Sequence, residues 1–205
     1  MLARVKRSYL RRKLGPSIIV VSGLPRSGTS MAMRMLQAGG LKTVEDGQRT
    51  ADVDNPKGYF EDERVMNLAQ DSDKSWLKNA RGKAIKVISY LLKELPASNN
   101  YKVILMDRHI AEVLASQAKM LERRGEGNPV DDEKMAENYE SLVWRVDYFL
   151  KRAPHVDTLR LHYTKVVEDP ETAARQIAAF LGGSMDVERM AEAVDPSLYR
   201  NRAQE

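Results

Sequence analysis

Residues 17–40 read SIIVVSGLPRSGTSMAMRMLQAGG, and this stretch decides the fold of the chain. Its opening, residues 17–21, is a β-branched apolar run without alternation, which predicts a strand buried on both faces. A glycine and a proline then end the strand in a turn. From Thr29 onward, methionine and leucine recur at helical spacing until the glycine pair at 39–40. The stretch therefore predicts a strand, a glycine-rich loop and a helix.

Such a loop directs several backbone N–H groups and the positive end of a helix dipole toward one point, which suits a phosphate or phosphosulfate anion. Gly23 and Gly28 have the spacing of a Walker A loop, but Thr29 stands where that loop has its lysine. Arg26 supplies a cation inside the loop instead, and hydroxyl side chains flank the second glycine. The residues predicted to hold the anion are Arg26, Ser27, Gly28, Thr29 and Ser30.

The composition is that of a globular protein with one domain. The chain has 205 residues, of which 42% are hydrophobic and 30% charged, enough for a sizeable core. It has no cysteine, which excludes disulfides, thiolate metal sites and cysteine nucleophiles, and its three widely spaced histidines do not support a zinc site. We predict an N-terminal arm over residues 1–16, an α/β domain over 17–195 and a C-terminal tail over 196–205.

The positive charge is uneven along the chain. The net charge is +4, and residues 4–13 hold six basic residues and no acid. A solvated terminus is the simpler interpretation of this arm, and contact with an anionic partner is the alternative. Because the chain carries no nucleic-acid fold signature, we predict no nucleic acid partner. The apolar run at 18–21 is too short for a signal peptide or a membrane span, so we expect a cytoplasmic protein.

Three further apolar runs, residues 84–89, 101–106 and 156–161, are strand candidates separated by helical patterns. Strands that alternate with helices predict an α/β domain with a central parallel sheet of about four or five strands, flanked by helices. A long amphipathic helix is predicted over 132–152, with an apolar stripe that serves as core or interface. The Asp-Pro pair at 169–170 predicts the start of another helix.

A second polar cluster lies at the end of the 101–106 strand, where ligands bind in open parallel sheets. It comprises Asp107, Arg108 and His109, and Ser116 lies on the following helix eight residues after Arg108.

The segment 41–57 is polar and irregular and predicts a long loop. A helix is predicted to follow, through Val65 and Leu68. Two interpretations of its start stay open. Lys57 and Glu61 place a cation and a carboxylate over the first loop, or Glu61 is one of the first-turn acids that stabilise the helix dipole.

The string PRSGTS at 25–30 resembles the 5′-phosphosulfate-binding loop of the sulfotransferases, in the form of a small, bacterial-type member. The resemblance implies a three-layer P-loop-NTPase-like fold and 3′-phosphoadenosine 5′-phosphosulfate (PAPS) as sulfuryl donor. In this family an arginine at a strand end and a serine eight residues later bind the 3′-phosphate, and Arg108 and Ser116 match both. A guanidinium can hold two phosphate oxygens, and a hydroxyl can donate to another. The resemblance covers most of residues 17–182.

The resemblance also implies the catalytic residues. Arg26 and the loop would hold the 5′-phosphosulfate, and Lys86 lies close to the position of a family lysine that neutralises the bridging oxygen. The histidine that cytosolic members place two residues later is Ile88 here. Glu61 is the nearest equivalent of the glutamate base of carbohydrate sulfotransferases, with His109 as the reserve base. The implied catalytic set is Arg26, Lys86 and Glu61.

The chain departs from the family pattern at two further places. His109 stands where an acidic residue often follows the arginine, which leaves the ion pairing of Arg108 open. The end of the chain lacks the Arg-Lys-Gly string that cytosolic members use on the 3′-phosphate; either Arg200 or Arg202 substitutes for it, or the tail is frayed. By the same resemblance, Tyr163 is placed near the adenine.

We therefore expect a PAPS-dependent sulfotransferase that acts on a hydroxyl or amine of a small-molecule or carbohydrate acceptor, without a metal. The oligomeric state is left open, a dimer included. A first alternative is a P-loop kinase or NTPase whose strand 101–107 ends in a magnesium-binding aspartate. The missing lysine after Gly28 argues against this alternative. A second alternative is a non-catalytic nucleotide-binding module.

Overall fold

The structure is a computed structural model that describes residues 14–48, 58, 60–126, 131–183 and 185–199. Nearly all of the predicted N-terminal arm lies outside these residues, as do Lys57, Arg200 and Arg202.

A single parallel sheet of five strands forms the centre of the described chain, in the order β2-β3-β1-β4-β5. This confirms the predicted α/β fold with a central parallel sheet. The strands are β1 (Ile18–Gly23), β2 (Thr43–Val44), β3 (Ala84–Lys86), β4 (Tyr101–Asp107) and β5 (Val156–His162).

Helices lie on both faces of the sheet. The α-helices are α1 (Thr29–Ala38), α2 (Glu63–Met66), α3 (Ile110–Arg123), α4 (Asp132–Arg152), α5 (Tyr163–Glu168), α6 (Pro170–Leu181) and α7 (Val187–Glu192). Short 3₁₀ helices span Ser75–Ala80, Ser89–Glu94 and Pro196–Leu198. None of the helices within the described ranges is long and apolar enough to cross a membrane.

Strand β1 divides the hydrophobic core into two clusters. Ile19 and Val21 pack into the cluster that α1, α6 and α7 cover. Ile18 and Val20 pack into the opposite cluster, which the 3₁₀ helices at 75–80 and 89–94 and helix α4 cover. Because neighbouring strand residues point to opposite faces, a run with no polar residue suits a strand buried on both sides. Each of these side chains, once fully buried, stabilises the fold by roughly 1.5–3 kcal/mol.

Two predicted elements end earlier than expected, and one was not predicted. The strand predicted over 84–89 ends at Lys86, and the chain then enters the 3₁₀ helix at 89–94. Leu91 and Leu92 are both buried in the second cluster, and neighbouring residues can share one face only in a helical turn. The helix predicted through Leu68 is only the four-residue α2, and β2 lies inside the predicted loop.

The predictions for α4 and for the start of α6 are confirmed. Helix α4 spans 132–152 as predicted. The Asp169 side chain accepts a hydrogen bond of 3.0 Å from the Thr172 backbone N–H and caps α6, with Pro170 in its first turn. Such a cap is typically worth about 1 kcal/mol.

The last four carbonyl groups of α6 have no hydrogen-bond donor within the helix, and each accepts from a donor outside it. The backbone N–H of Gly182, a left-handed residue with φ 72°, donates to Ala178 and Ala179. The Lys102 ammonium donates to the carbonyls of Phe180 and Leu181 at 2.8 and 2.9 Å. A side chain of β4 thereby completes the end of a helix that packs on the sheet.

Candidate functional site

The loop between β1 and α1 is a tight turn with left-handed backbone. The Ser27 N–H donates to the Leu24 carbonyl at 3.1 Å, and Arg26 has φ 67°. Gly28 precedes α1 with φ 98°, and a Cβ placed on it would lie 2.5 Å from Cδ2 of Tyr163. Glycine is therefore required at 28 both by the backbone angle and by the packed tyrosine ring.

The N-terminus of α1 differs from those of α2, α6 and α7. No side chain caps α1 and its first turn holds no acid, which is also true of the short helix α5, whereas an aspartate side chain caps each of α2, α6 and α7. Helices α3 and α4 also lack a side-chain cap but have first-turn acids. An uncapped first turn presents N–H groups and the positive end of the helix dipole. This end of α1 is therefore electrostatically suited to an external anion.

The structure brings Arg26, Arg108 and Ser116 together, although they come from the loop, the end of β4 and helix α3. Arg26 Nε donates to Ser116 Oγ at 3.1 Å. A guanidinium N–H of Arg108 donates to the Arg26 carbonyl oxygen at 3.0 Å. The two predicted anion-binding clusters are thus one connected surface, and Arg108 supports the left-handed backbone at Arg26.

Arg108 is 8% exposed and has a carboxylate partner that the sequence reasoning missed. Its Nε donates to Glu112 Oε2 at 2.9 Å. Glu112 is four residues on, so the first turn of α3 supplies the acid that is missing at His109. The i,i+4 spacing across a helix start is the signal that could have found it.

Two tyrosines also contact Arg108. Its Cζ lies 4.2 Å from the ring centroid of Tyr163 and 5.5 Å from that of Tyr199. Burial raises the pKa of Tyr163 above its ordinary value, and the charge of Arg108 counteracts this shift, so the phenol is neutral at pH 7. Tyr199 comes from the end of the described chain and carries no local pattern that points to the site.

Lys86 and Glu61 form a second, separate pair. Lys86 lies beside Val21 at the carboxyl end of β3, and its Nζ is 3.2 Å from Glu61 Oε1. The side chains are 11% and 28% exposed, so the pair is partly shielded from water. Asp62 caps α2 and Glu63 is its first-turn acid, so Glu61 lies outside the helix. Glu61 is therefore not a first-turn acid of α2, while a place for Lys57 and Glu61 over the first loop stays a prediction, since Lys57 lies outside the described residues.

The structure shows where Ser27 and His109 lie but does not test the roles predicted for them. The Ser27 side chain is 1% exposed, and its hydroxyl has no hydrogen-bond partner among the described residues. It lines, with Ser89 and Asp107, a cavity of about 20 Å³ near the ends of β1 and β4. His109 is exposed and precedes α3 without capping it through its side chain. Contact of Ser27 with a ligand, and a role for His109 as base, remain predictions.

Asp107, the residue that a magnesium-dependent enzyme would use, has an arginine partner. Its Oδ2 lies 3.3 Å from Arg160, which also pairs with Asp147 of α4. An aspartate in this ion-pair network is held by a cation of the protein itself.

Comparison with protein-family models shows the family of the chain. A family model described as the sulfotransferase domain matches residues 16–202. No curated protein sequence matches the chain.

Solved structures of sulfotransferases have a similar fold. The sulfotransferase domain from the curacin biosynthetic pathway is 15% identical, with a TM-score of 0.52 over 90% of this chain and 89% of that one. The sulfotransferase domain from the Synechococcus PCC 7002 olefin synthase is 18% identical, with a TM-score of 0.54 over 93% and 90%. Mouse sulfotransferase SULT7A1, complexed with PAP, is 16% identical, with a TM-score of 0.51 over 91% and 67%. At these identities the likeness concerns the fold.

Proposed function

Because this chain belongs to the sulfotransferase domain family and is a sulfotransferase, we propose that PAPS is its donor and that a hydroxyl or amine of a small-molecule or carbohydrate is its acceptor. The observation that carries the proposal is the uncapped start of α1 beside the connected arginines of the loop and of β4. Helix N–H groups and two guanidinium groups on one surface suit a ligand with two separate anionic groups.

The residues present fit the two anionic ends of PAPS. PAPS supplies an activated sulfuryl group, whose bond to the 5′-phosphate oxygen breaks as its bond to the acceptor forms, with 3′,5′-ADP leaving. We assign the loop residues 26–30 to the 5′-phosphosulfate. We assign Arg108 and Ser116 to the 3′-phosphate. The hydrogen bond between Arg26 and Ser116 supports a pair of adjacent anion subsites.

The Lys86–Glu61 pair supplies the remaining chemistry in this proposal. A carboxylate at Glu61 takes the proton of the acceptor hydroxyl or amine, and the Lys86 ammonium stabilises negative charge that develops on the oxygen that leaves. The 3.2 Å contact between Lys86 Nζ and Glu61 Oε1 holds the two groups side by side.

Thermal unfolding of the wild-type protein tests the donor class. We expect 3′,5′-ADP to raise the melting temperature, since a ligand that binds only the folded state stabilises it by mass action. ATP with magnesium should raise it far less, because Arg160 holds Asp107 and no lysine follows Gly28. A larger shift with ATP and magnesium than with 3′,5′-ADP would instead favour the kinase alternative. Binding of 3′,5′-ADP without sulfate transfer to any acceptor would favour a non-catalytic module.

Replacing Arg108 with lysine should weaken 3′,5′-ADP binding about tenfold or more, because one ammonium cannot reproduce the two-pronged hydrogen bonding of a guanidinium. Binding of 5′-AMP should weaken less, since only the support of Arg108 to the Arg26 carbonyl is lost. Calorimetry with both nucleotides measures this difference. Arg175→Lys, in an exposed ion pair of α6, is the control and should leave both affinities unchanged. Equal losses for the two nucleotides would contradict the assignment of Arg108.

A further inference from the structure

We infer that Glu112 and Tyr199 are positioning residues of the 3′-phosphate subsite, which hold the Arg108 guanidinium in one orientation and so select nucleotides that carry a 3′-phosphate. The inference rests on the proposed function, because it assumes that Arg108 meets this phosphate. It extends that function to residues from the first turn of α3 and from the end of the described chain, which no motif in the sequence marks.

The Arg108 guanidinium is fixed along its edges. Its Nε donates to Glu112 Oε2 at 2.9 Å, and another of its N–H groups donates to the Arg26 carbonyl at 3.0 Å. The side chains of Arg108 and Glu112 are only 6% and 4% exposed. A buried ion pair gains little net stability, because desolvation of both charges offsets their attraction. Orientation of the arginine is therefore the better account of why the pair is there.

Two aromatic rings also contact the guanidinium. The rings of Tyr163 and Tyr199 meet edge to face, with centroids 5.3 Å apart and an interplanar angle of 81°. Arg108 Cζ lies within 6 Å of both ring centroids, so both rings restrict its movement. Rotation of the arginine away from its site would break two hydrogen bonds and both ring contacts.

Tyr199 completes the arrangement by holding the carboxylate. Its hydroxyl donates to Glu112 Oε1 at 2.7 Å and lies 3.3 Å from Thr164 Oγ1. Both oxygens of Glu112 are thus engaged, one by Arg108 and the other by Tyr199. The phenol draws negative charge away from the carboxylate oxygen, which reduces its repulsion of an incoming phosphate.

A guanidinium held in this way does not have to change conformation when a phosphate binds. Such preorganisation raises its affinity for the phosphate. The effect should therefore be confined to nucleotides with a 3′-phosphate. Loss of the Tyr199 hydroxyl should leave the loop and its 5′-phosphate contacts unchanged, since the Tyr199 ring, which packs on the Tyr163 ring beside Gly28, is kept.

The test is calorimetry of Tyr199→Phe with 3′,5′-ADP and with 5′-AMP. The variant keeps the ring beside Arg108 and removes the hydroxyl, with its hydrogen bond to Glu112 and its contact with Thr164 Oγ1. We expect about a tenfold loss of 3′,5′-ADP affinity, the size expected for one hydrogen bond to a charged group, and no change for 5′-AMP. Tyr101→Phe is the matched control, since it removes a hydrogen bond to the Pro96 carbonyl at the far end of β4. The control should bind both nucleotides like wild type.

Two substitutions at Glu112 separate positioning from simple charge. Glu112→Ala removes the acceptor and should lose 3′-phosphate preference at least as strongly as Tyr199→Phe. Glu112→Gln keeps an acceptor oxygen and should restore most of that preference. If the carboxylate merely repels the phosphate, both substitutions will strengthen 3′,5′-ADP binding, and the inference is wrong. Should Glu112→Ala fail to fold in thermal unfolding, Tyr199→Phe alone decides.

The outcomes distinguish this inference from the function on which it rests. If the wild-type protein binds 3′,5′-ADP no better than 5′-AMP, the proposed donor is wrong. If the wild type prefers 3′,5′-ADP and Tyr199→Phe keeps the full preference, only the positioning role fails. Equal losses for both nucleotides in Tyr199→Phe would also overturn the inference, because they would indicate a general structural effect.

Discussion

Arg26→Ala is expected to lower kcat/KM for PAPS by about a hundredfold to a thousandfold, the loss typical of removing one group that stabilises developing charge. Its guanidinium lies at the start of α1 and contacts Ser116, so it is close to both proposed anion subsites. Binding of 3′,5′-ADP should weaken about tenfold or more as well, since a charge-assisted hydrogen bond is lost. Steady-state kinetics and calorimetry measure the two effects separately.

Two controls give this prediction its meaning. Alanine and arginine meet a similar backbone penalty at φ 67°, so the substitution changes the side chain and little else. Arg26→Lys keeps the charge without the planar donors and should retain part of the activity. Arg175→Ala, which removes an exposed ion pair of α6, should behave like wild type. Unchanged 3′,5′-ADP affinity in Arg26→Ala would refute the proposed role of the loop arginine.

Lys86→Met should lower kcat about a hundredfold and change 3′,5′-ADP affinity little, because its charge is needed as the donor bond breaks rather than when the product nucleotide is bound. Its pairing with Glu61 adds a second expectation. The double variant Lys86→Met with Glu61→Gln should lose less activity than the sum of the two losses in free energy, since the residues act as a pair.

Lys74→Met is the matched control for Lys86. Lys74 lies 3.6 Å from Glu94 in another partly buried ion pair, in which the side chains are 20% and 26% exposed. Its substitution should cost stability alone, with kcat unchanged. A wild-type kcat in Lys86→Met would contradict the catalytic assignment, whereas a strict sum of losses would indicate that Lys86 and Glu61 act independently.

Most of the sheet could be predicted from the sequence because its buried strands are continuous apolar runs. Strand β1 and strand β4 are buried on both faces and were found at nearly their full length. Strand β2 was missed, since its two residues are partly exposed and it is held by pairing with β3, which no local pattern records. The end of β3 was placed too late, because buried leucines follow it in a 3₁₀ helix.

In the candidate site, too, contacts within a short stretch of chain could be predicted and contacts between distant residues could not. Gly28, Arg26 and the start of α1 follow one another in the chain, so their arrangement could be predicted from residue types and spacing. The Arg108–Glu112 pair was also within reach of local rules, as an i,i+4 contact. Tyr199 was not, since 87 positions separate it from Glu112, and only packing of the whole domain brings the two together.

The hydrogen bonds from Lys102 to the end of α6 have a consequence for how the chain folds. Lys102 precedes Phe180, the first residue whose carbonyl it binds, by 78 positions. During synthesis Lys102 therefore leaves the ribosome before that helix does. A fragment that starts after β4 would have to leave those two carbonyls to water. The last turn of α6 therefore gains all its hydrogen bonds only when the helix packs on the sheet. Ordering of this turn then indicates that the sheet has assembled.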